Sequence, residues 1–388
     1  MKILYHHRTM AEDGQAVHIR SLQAAFREEG HELQEVSLVQ QGEESQKDAG
    51  SGRSRWGFVS KLPRFAHELA EYAYSAVARH RIMKAAVDFK PDFLYERYAF
   101  GNFAGVTAAH RLRKPLVLEV NSPMVLELQK TRGLSFPGLA SKVEKYIFCD
   151  ADRVCVVTDV LKNMLIEMGV NEEHLLVTPN GVRPELYVFD DADAQRVKAR
   201  ENLGIEQTTG LILGFVGYYR DWHRLDLVIE CLTDAELAEA HLVLIGMGPA
   251  EDDLRARAAK LGVSERVHFP GPRPHDDIPG LLSAFDIALV PAINPYASPL
   301  KLHEYMAAGL AVIAPDQPNL REVLEHGANG LLVAPGEQDD LLSALISLAS
   351  NQAERTRLGV NACKTIEDRE LTWRGNARRV LASVEELL

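Results

Sequence analysis

Short apolar runs alternate with amphipathic segments along almost the whole of this chain. Runs such as "KILYHH", "DFLYERY" and "PLVLEV" have the length and composition of buried strands, and the segments between them place apolar residues at helical spacing. Strands that alternate with helices form parallel sheets with helices on both faces. The alternation therefore predicts an α/β protein built from doubly wound sheets.

The alternation breaks once, near Asp190. The stretch "FDDADAQRVKARENLGIEQTTG" is polar, and a second series of strands and helices begins after it with "GLILGFVGYY". The break predicts two Rossmann-like domains, residues 1–190 and 191–365, with a C-terminal helix, residues 366–388, that packs back on the first. Because ligands of such sheets bind beyond the carboxyl ends of the strands, two sheets facing each other would hold them in a central cleft.

The composition argues against several classes of protein. With 43 basic and 55 acidic residues the net charge is −12, which argues against a nucleic-acid binder that relies on bulk positive charge. No apolar run approaches the ~20 residues that a bilayer span needs, and the N-terminal "MKILYHH" lacks the apolar core of a signal peptide. The four cysteines contain no CxxC pair, so we expect reduced thiols, no cysteine metal site and a cytoplasmic location.

The segment "NPYASPLKLHEYMAAGL", residues 294–310, carries the strongest functional signal. Ser298 is a favoured N-cap and Pro299 a favoured first helical residue, so a helix should begin there and direct its free N–H groups at an anion such as a diphosphate. Lys301 in the first turn opposes the helix dipole unless an anion offsets it. Glu304 can accept hydrogen bonds from the two hydroxyls of a ribose. A solvated helix face with Lys and Glu three apart explains the same pattern.

The same segment, extended to "SPLKLHEYMAAGLAVIAPD" and followed by "LREVLEHGANGLLVAPG", resembles the donor-binding signature of the family 4 retaining glycosyltransferases of the GT-B fold. Other motifs of that family are matched in the right order by "GQAVHIRSLQAAFREEGHEL", "TPNGV" and "VHFPGPRPHDDIPGLLSAFDIALVP". The resemblance covers nearly the whole chain. It implies a site for a nucleotide-diphosphate sugar mainly on the C-terminal domain and an acceptor site mainly on the N-terminal domain.

The resemblance also implies roles for individual positions. Glu304 matches the glutamate that binds the nucleotide ribose, and Leu300 lies in the turn whose backbone amides hold the diphosphate. Asn180 and Gly181 match a turn near the interdomain hinge, and a tight loop without further function explains them equally well. The donor-binding positions that the resemblance implies are Gly14, Gln15, Tyr218, Arg273, Pro274, Tyr296, Ser298, Pro299, Leu300 and Glu304.

The sequence departs from the family pattern in three places, all in the expected active site. Tyr296 stands where the family has a second carboxylate, eight residues before the ribose glutamate. Tyr218 and His223 replace the arginine and the lysine that clamp the diphosphate. Asn121 replaces a histidine at the end of the strand "PLVLEV". Either the enzyme is inactive, or it belongs to a branch that does the same work with other groups.

Physical chemistry favours an active branch. Because a departing nucleoside diphosphate gains negative charge, losing its clamp outright should cost several kcal/mol. Other cations stand nearby in the sequence, and the hypothesis is that Lys301, with His223 or Arg220, restores the clamp. Asn121 can still hydrogen-bond a sugar hydroxyl, so it joins these three as a candidate catalytic residue.

Acceptor recognition is expected on the N-terminal domain. His7 and Arg97 lie at the ends of the strands "KILYHH" and "DFLYERY", where they could meet an acceptor or a phosphate, although Arg97 could simply pair with Glu96. Trp56 lies in residues 52–83, where cations and aromatic residues mix. Such a patch suits an anionic membrane surface or a lipid-linked diphosphate, and packing on its own domain explains it as well. Peripheral contact with the inner membrane face therefore stays open.

The resemblance and the residues together predict a hexosyltransferase that moves a sugar from a UDP- or GDP-linked donor to a glycan or lipid-linked acceptor, with no metal or other cofactor. By analogy the setting is cell-surface or exopolysaccharide assembly. The acidic string "DDAD" at 190–193 sits at a predicted helix start, where acidic residues are favoured without any metal. Two alternatives remain, a nucleotide-sugar epimerase or hydrolase of similar fold and a non-catalytic subunit that binds donor.

Overall fold

The computed structural model describes residues 1–9, 14–37, 63–208 and 210–388. Within these ranges the chain forms two compact units, one of residues 1–179 and 376–388, the other of residues 180–375. The units divide after residues 179 and 375, whereas the sequence predicts boundaries near 190 and 365. Val182 and Thr372, which lie between the two sets of positions, pair with each other inside the second unit. Trp56 and the rest of residues 52–62 lie outside the described residues.

The first unit is built on a parallel sheet. Its described strands are β1 (Lys2–His6), β2 (Glu32–Val36), β3 (Phe93–Arg97), β4 (Leu116–Val120), β5 (Arg153–Val156) and β6 (Leu175–Val177). They lie in the order β2-β1-β3-β4-β5-β6, so the winding reverses between β1 and β3. The helices around this sheet are α1 (Gly14–Glu28), α2 (Arg64–Phe89), α3 (Ala104–Leu112), α4 (Met124–Thr131), α5 (Pro137–Cys149) and α6 (Asp159–Glu167).

The second unit repeats the plan with a different strand order. Its described strands are β7 (Ile212–Tyr218), β8 (His241–Met247), β9 (Val267–Gly271), β10 (Ile287–Leu289), β11 (Ala311–Pro315) and β12 (Leu331–Val333). The order is β12-β11-β10-β7-β8-β9, which reverses between β7 and β10. The helices of this unit are α7 (Ala192–Leu203), α8 (Leu225–Cys231), α9 (Glu251–Lys260), α10 (Ile278–Leu282), α11 (Leu300–Ala307), α12 (Pro318–Arg321), α13 (Gln338–Ser350) and α14 (Gln352–Asp368).

Apolar side chains alternate between the two faces of the second sheet. In β7, Ile212 belongs to one buried cluster and Leu213 to the other. The first cluster includes Tyr305 of α11, and the second includes Leu254 of α9. Strands buried on both faces are typical of parallel sheets covered by helices. The predicted pair of doubly wound sheets is therefore confirmed, and no helix within the described ranges is long and apolar enough to cross a membrane.

Helix α15 (Trp373–Glu385) ends the chain and crosses the boundary between the units. From Asn376 onward its residues belong to the first unit. There Arg378 donates to a carboxylate oxygen of Glu29 at 3.1 Å, and Arg153 donates to Glu386 at 3.0 Å. These polar contacts accompany the apolar packing of buried residues such as Val384.

Candidate functional site

The segments that follow β7 and β10 meet at the carboxyl edge of the second sheet. β7 ends at Tyr218 and leads into the 3-10 turn Asp221–His223, whereas β10 leads through residues 290–299 into α11. Because the two strands are neighbours and the winding reverses between them, this is the edge at which doubly wound sheets bind their ligands. The fold therefore brings the predicted donor residues of both segments to one crevice.

Helix α11 begins one residue later than the sequence predicts. Pro299 occupies the N-cap with φ −75° and ψ 126°, and Leu300 is the first helical residue. The hydroxyl of Ser298 is not the cap, because it accepts the backbone N–H of Asn180 at 3.1 Å. The prediction of Ser298 as cap is therefore wrong. The first turn, which carries Lys301, still presents the helix end whose N–H groups lack intrahelical partners and attract anions.

The amine of Lys301 packs against an aromatic ring at the start of α11. Its Nζ lies 3.8 Å from the centre of the Phe215 ring. Gly217, at φ +143°, leaves the space for it, since a Cβ there would come within 2.8 Å of Nζ. Burial lowers the pKa of the Lys301 amine to about 7, and the charge of Glu304 acts in the other direction. Among the described residues Lys301 forms no ion pair, so the amine remains available to an anion.

His223 lies beside Lys301 and packs edge-on against the same ring. The centres of the His223 and Phe215 rings are 5.2 Å apart at an interplanar angle of 67°. Burial, followed by the charges of Lys301 and Arg220, lowers the pKa of His223 to about 3, so the imidazole is neutral at physiological pH. Its Nδ1 accepts the backbone N–H of Arg220 at 3.3 Å, which places the ring proton on Nε2. His223 is thus an uncharged imidazole in the ligand-free protein, and its hydrogen bond with the backbone of Tyr218 acts against the lowering of its pKa.

Arg220 and Tyr218 form the exposed side of the crevice. The guanidinium of Arg220 stacks over the Tyr218 ring, 4.8 Å from its centre, and 49% of Tyr218 is exposed. Of the three candidate cations, His223 is buried and neutral, Lys301 is partly buried and Arg220 lies at the surface. Lys301 is therefore the candidate cation that lies deepest while still able to carry charge near neutral pH.

Glu304 is buried, and its carboxylate is paired with a histidine. Its Oε1 lies 2.7 Å from Nε2 of His275, the first residue of a 3-10 turn that follows β9. Burial, and then the charge of Glu304, raises the pKa of Tyr187 well above its ordinary value, which places this phenol in the same surroundings. Sequence reasoning missed His275, although it directly follows the predicted base-contacting residues Arg273 and Pro274.

Two asparagines hold the loop between β10 and α11, which carries Tyr296. The buried Asn319 donates through Nδ2 to the carbonyls of Ala297 at 2.7 Å and of Asn294 at 3.2 Å. Asn180 binds the other end of the loop, because its amide side chain donates to the carbonyl of Ser298. Tyr296 itself is 9% exposed. The loop is therefore fixed from both sides, and Asn319 is a second residue that sequence reasoning missed.

The remaining predicted donor contacts lie at the surface. Gly14 and Gln15 are the first residues of α1 and are exposed, and residues 10–13 before them are outside the described ranges. Arg273 and Pro274 are exposed as well, and the guanidinium of Arg273 donates to the carbonyl of Asn202 at 3.1 Å. Because the side chain of Arg273 is engaged, main-chain contact with a base stays a prediction.

The predicted acceptor residues of the first unit lie where its winding reverses, and each has a partner. Nε2 of His7 lies 3.1 Å from a carboxylate oxygen of Glu35, and Nδ1 of His6, which ends β1, lies 2.5 Å from Glu96. Arg97 pairs with Glu119 of the neighbouring strand and not with Glu96. His7 and Arg97 are 6% and 8% exposed, so little of either is free to meet an acceptor.

Glu119 is the centre of a buried polar cluster in the first unit. Its carboxylate accepts hydrogen bonds from the hydroxyl of Tyr95 at 3.0 Å and from Nδ2 of Asn121 at 2.6 Å, and it lies 3.2 Å from Nε2 of His18. Burial raises the pKa of Glu119, but His18 and Arg97 outweigh burial and hold the pKa well below its ordinary value. Because Nδ2 of Asn121 is used in this way, the amide presents Oδ1, an acceptor suited to a hydroxyl.

Two family models match this chain. Residues 13–186 match Glycosyltransferase Family 4, and residues 196–365 match Glycosyl transferases group 1. Together the two matches take in most of both units. The two doubly wound units and these matches define the class of the protein, a glycosyltransferase of the GT-B fold. More narrowly, the chain belongs to the family 4 glycosyltransferases, as its motifs imply.

Similar proteins agree with this assignment. The chain is 29% identical over 207 residues to a 2-deoxystreptamine glucosyltransferase of Streptomyces kanamyceticus, a match over 52% of each chain. It is 28% identical over 283 residues to a D-inositol 3-phosphate glycosyltransferase of Nocardia farcinica, over 70% of this chain and 61% of the relative. The chain thus spans less than two thirds of the length of either relative. The crystal structure of Anabaena HepE with UDP-glucose shares the fold, with TM-score 0.74 over all of both chains at 18% identity.

Proposed function

We propose that this chain is a retaining hexosyltransferase that takes a UDP- or GDP-linked sugar and passes the hexose to a hydroxyl of a glycan or lipid-linked acceptor. The observation that carries the proposal is the position of Lys301 at the start of α11. Its amine packs against the Phe215 ring and forms no ion pair among the described residues. Glu304 lies one turn further along the same helix, where a ribose diol would follow a diphosphate. HepE binds UDP and UDP-glucose, which supports UDP as the nucleotide.

The proposed reaction exchanges one glycosidic bond for another on the same face of the sugar. The acceptor oxygen forms a bond to the anomeric carbon, the bond from that carbon to the diphosphate oxygen breaks, and its electron pair leaves with the diphosphate. The leaving phosphate takes the acceptor proton, so no carboxylate nucleophile is needed. Lys301, the N–H groups at the start of α11 and Nε2 of His223 stabilise the charge that develops on the diphosphate. We assign to Asn121 a hydrogen bond with a sugar hydroxyl.

Product analysis tests this proposal. Purified protein is incubated with UDP-glucose, GDP-mannose and related donors and a panel of glycan and lipid-linked acceptors, and NMR reads the anomeric configuration of any product. Transfer with retention supports the proposal. An epimer or free sugar without acceptor indicates an epimerase or hydrolase, and tight donor binding without turnover over the panel indicates a non-catalytic subunit. Location is tested separately, by cell fractionation and by flotation with anionic liposomes, since cytoplasmic residence with peripheral membrane contact is part of the proposal.

Nucleotide binding without a metal is the first expected result. UDP at about 100 times its dissociation constant should stabilise the fold by about 2.7 kcal/mol, seen as a rise in melting temperature. The same rise is expected with EDTA present. Asp191 belongs to the acidic string that would be the best candidate for a metal ligand in the sequence, but its carboxylate caps α7 by accepting the N–H of Ala194 at 2.9 Å. Turnover that EDTA abolishes and Mg²⁺ or Mn²⁺ restores would contradict metal independence.

Donor binding should also take up a proton. At about pH 8.5 most Lys301 amines are neutral in the free protein, because their pKa is about 7, and a bound diphosphate favours the ammonium form. UDP affinity should therefore fall as the pH rises above 7. Titration calorimetry in buffers of different ionisation enthalpy should find close to one proton taken up per UDP, and none for Lys301→Met. Binding without proton uptake in the unaltered protein would place the diphosphate away from Lys301.

A further inference from the structure

The pairing of Glu304 with His275 joins two segments that are distant in the sequence. Glu304 lies in α11, and His275 opens the 3-10 turn His275–Asp277 after β9. Nε2 of His275 and Oε1 of Glu304 are 2.7 Å apart, which is short for a nitrogen–oxygen hydrogen bond. The side chain of Glu304 is 9% exposed and that of His275 is 36% exposed. The imidazole thus reaches from the surface to a carboxylate that is almost enclosed.

A buried carboxylate requires such a partner, and the partner decides how the carboxylate is oriented. An enclosed charge is costly unless it is hydrogen-bonded, and Lys301 lies over the Phe215 ring and forms no ion pair with Glu304. His275 therefore supplies the hydrogen bond that holds Glu304 in one rotamer. An ionised carboxylate has about four acceptor positions, so one bond to His275 leaves enough for two hydroxyls of a ligand.

We propose that His275 is a positioning residue that orients Glu304 toward both hydroxyls of a ribose, so that the site selects ribonucleotides over 2′-deoxyribonucleotides. The proposal rests on the proposed function, because it assumes that a nucleoside diphosphate binds at α11. His275 acts through Glu304 and needs no contact with the nucleotide. The selection arises because a deoxyribose would leave one oriented acceptor of the buried carboxylate without its donor.

The ratio of the dissociation constants for UDP and 2′-deoxy-UDP measures this role directly. Calorimetry on the intact protein should find UDP bound at least about 10-fold more tightly, the usual discrimination for a lost hydrogen bond to a charged group. His275→Ala should reduce the preference to less than about threefold, mainly by weakening UDP binding. His275→Gln should keep most of it, because the amide N–H can still donate to Glu304.

Controls separate positioning from loss of fold. His110→Ala removes a surface imidazole whose side chain is 62% exposed, and it should leave both dissociation constants unchanged. The affinity of His275→Ala for 2′-deoxy-UDP should stay within about twofold of the original, which shows that the site is still folded. If GDP is the preferred nucleotide, GDP and 2′-deoxy-GDP replace the uridine pair.

The outcomes distinguish this inference from the proposed function. A His275→Ala variant that keeps the full preference for UDP overturns the positioning role and leaves the proposed function intact. An unaltered protein that binds both nucleotides equally overturns the ribose role of Glu304 together with that of His275. An unaltered protein that binds no nucleoside diphosphate overturns the proposed function itself.

Discussion

Lys301→Met is expected to lower turnover by about 10²–10³-fold and, at the same time, to raise the melting temperature. The loss follows because the variant keeps the shape of the side chain and removes the charge that stabilises the leaving diphosphate. The gain follows because the pKa of Lys301, about 7 in place of 10.5, shows that the fold disfavours the ammonium. That penalty is complete below pH 7, shrinks as the pH rises and vanishes above about 10.5. Removing it at neutral pH should add about 1–3 kcal/mol to the free energy of unfolding.

A matched control is available in the same unit. Lys364 is exposed on α14, so Lys364→Met removes the same charge without touching the crevice, and it should leave both turnover and melting temperature nearly unchanged. Turnover is measured by release of nucleoside diphosphate at saturating donor, and stability by differential scanning calorimetry without ligand. Unchanged turnover in Lys301→Met would show that Lys301 is not the clamp. A lower melting temperature would show that its amine has a stabilising partner in the free protein.

The fold and part of the second unit's site follow from local sequence patterns. Alternating strands and helices specify the two sheets, and the segment that holds Lys301 and Glu304 reads as a helix at the end of a strand. The helix starts one residue later than predicted. The hydroxyl of Ser298 accepts a hydrogen bond from the backbone N–H of Asn180, far away in the sequence, and does not cap the helix. Partners brought together only by folding, such as His275 and Glu304, leave no local pattern.

The first unit shows a different limit of sequence reasoning. His7 and Arg97 are correctly placed at strand ends, but the sequence does not show that Arg97 is buried against Glu119. The register explains the pair, because Arg97 of β3 lies opposite Glu119 of β4 in adjacent parallel strands. Opposite charges near the ends of two successive apolar strands, in "LYERY" and "LVLEVN", were the available signal. Reading each strand alone could not reveal that one carboxylate serves several donors.

Glu119→Ala is expected to cost the first unit about 3–5 kcal/mol, the usual penalty for removing one partner of a buried ion pair. The variant leaves the Arg97 guanidinium, His18 and the Tyr95 hydroxyl without their common acceptor in a site where Glu119 is 2% exposed. Its melting temperature should fall by roughly 10 °C for a unit of this size. Glu386→Ala, which removes the exposed partner of Arg153, should shift it little, because exposed pairs contribute about 0–1 kcal/mol.

Acid provides an independent test of the same cluster. Because the folded pKa of Glu119 is depressed, its stabilising contribution is present above the unfolded pKa of about 4.5 and is lost as the pH falls below it. Stability of the unaltered protein should therefore drop more steeply below pH 4.5 than that of Glu119→Ala, which has no such proton to bind. The double variant Glu119→Leu/Arg97→Met should recover the part of the loss that comes from the uncompensated Arg97 charge, whereas His18 and Tyr95 still lack their acceptor. Equal acid sensitivity in the unaltered protein and in Glu119→Ala would mean that the cluster is held by packing and that the charge of Glu119 contributes nothing.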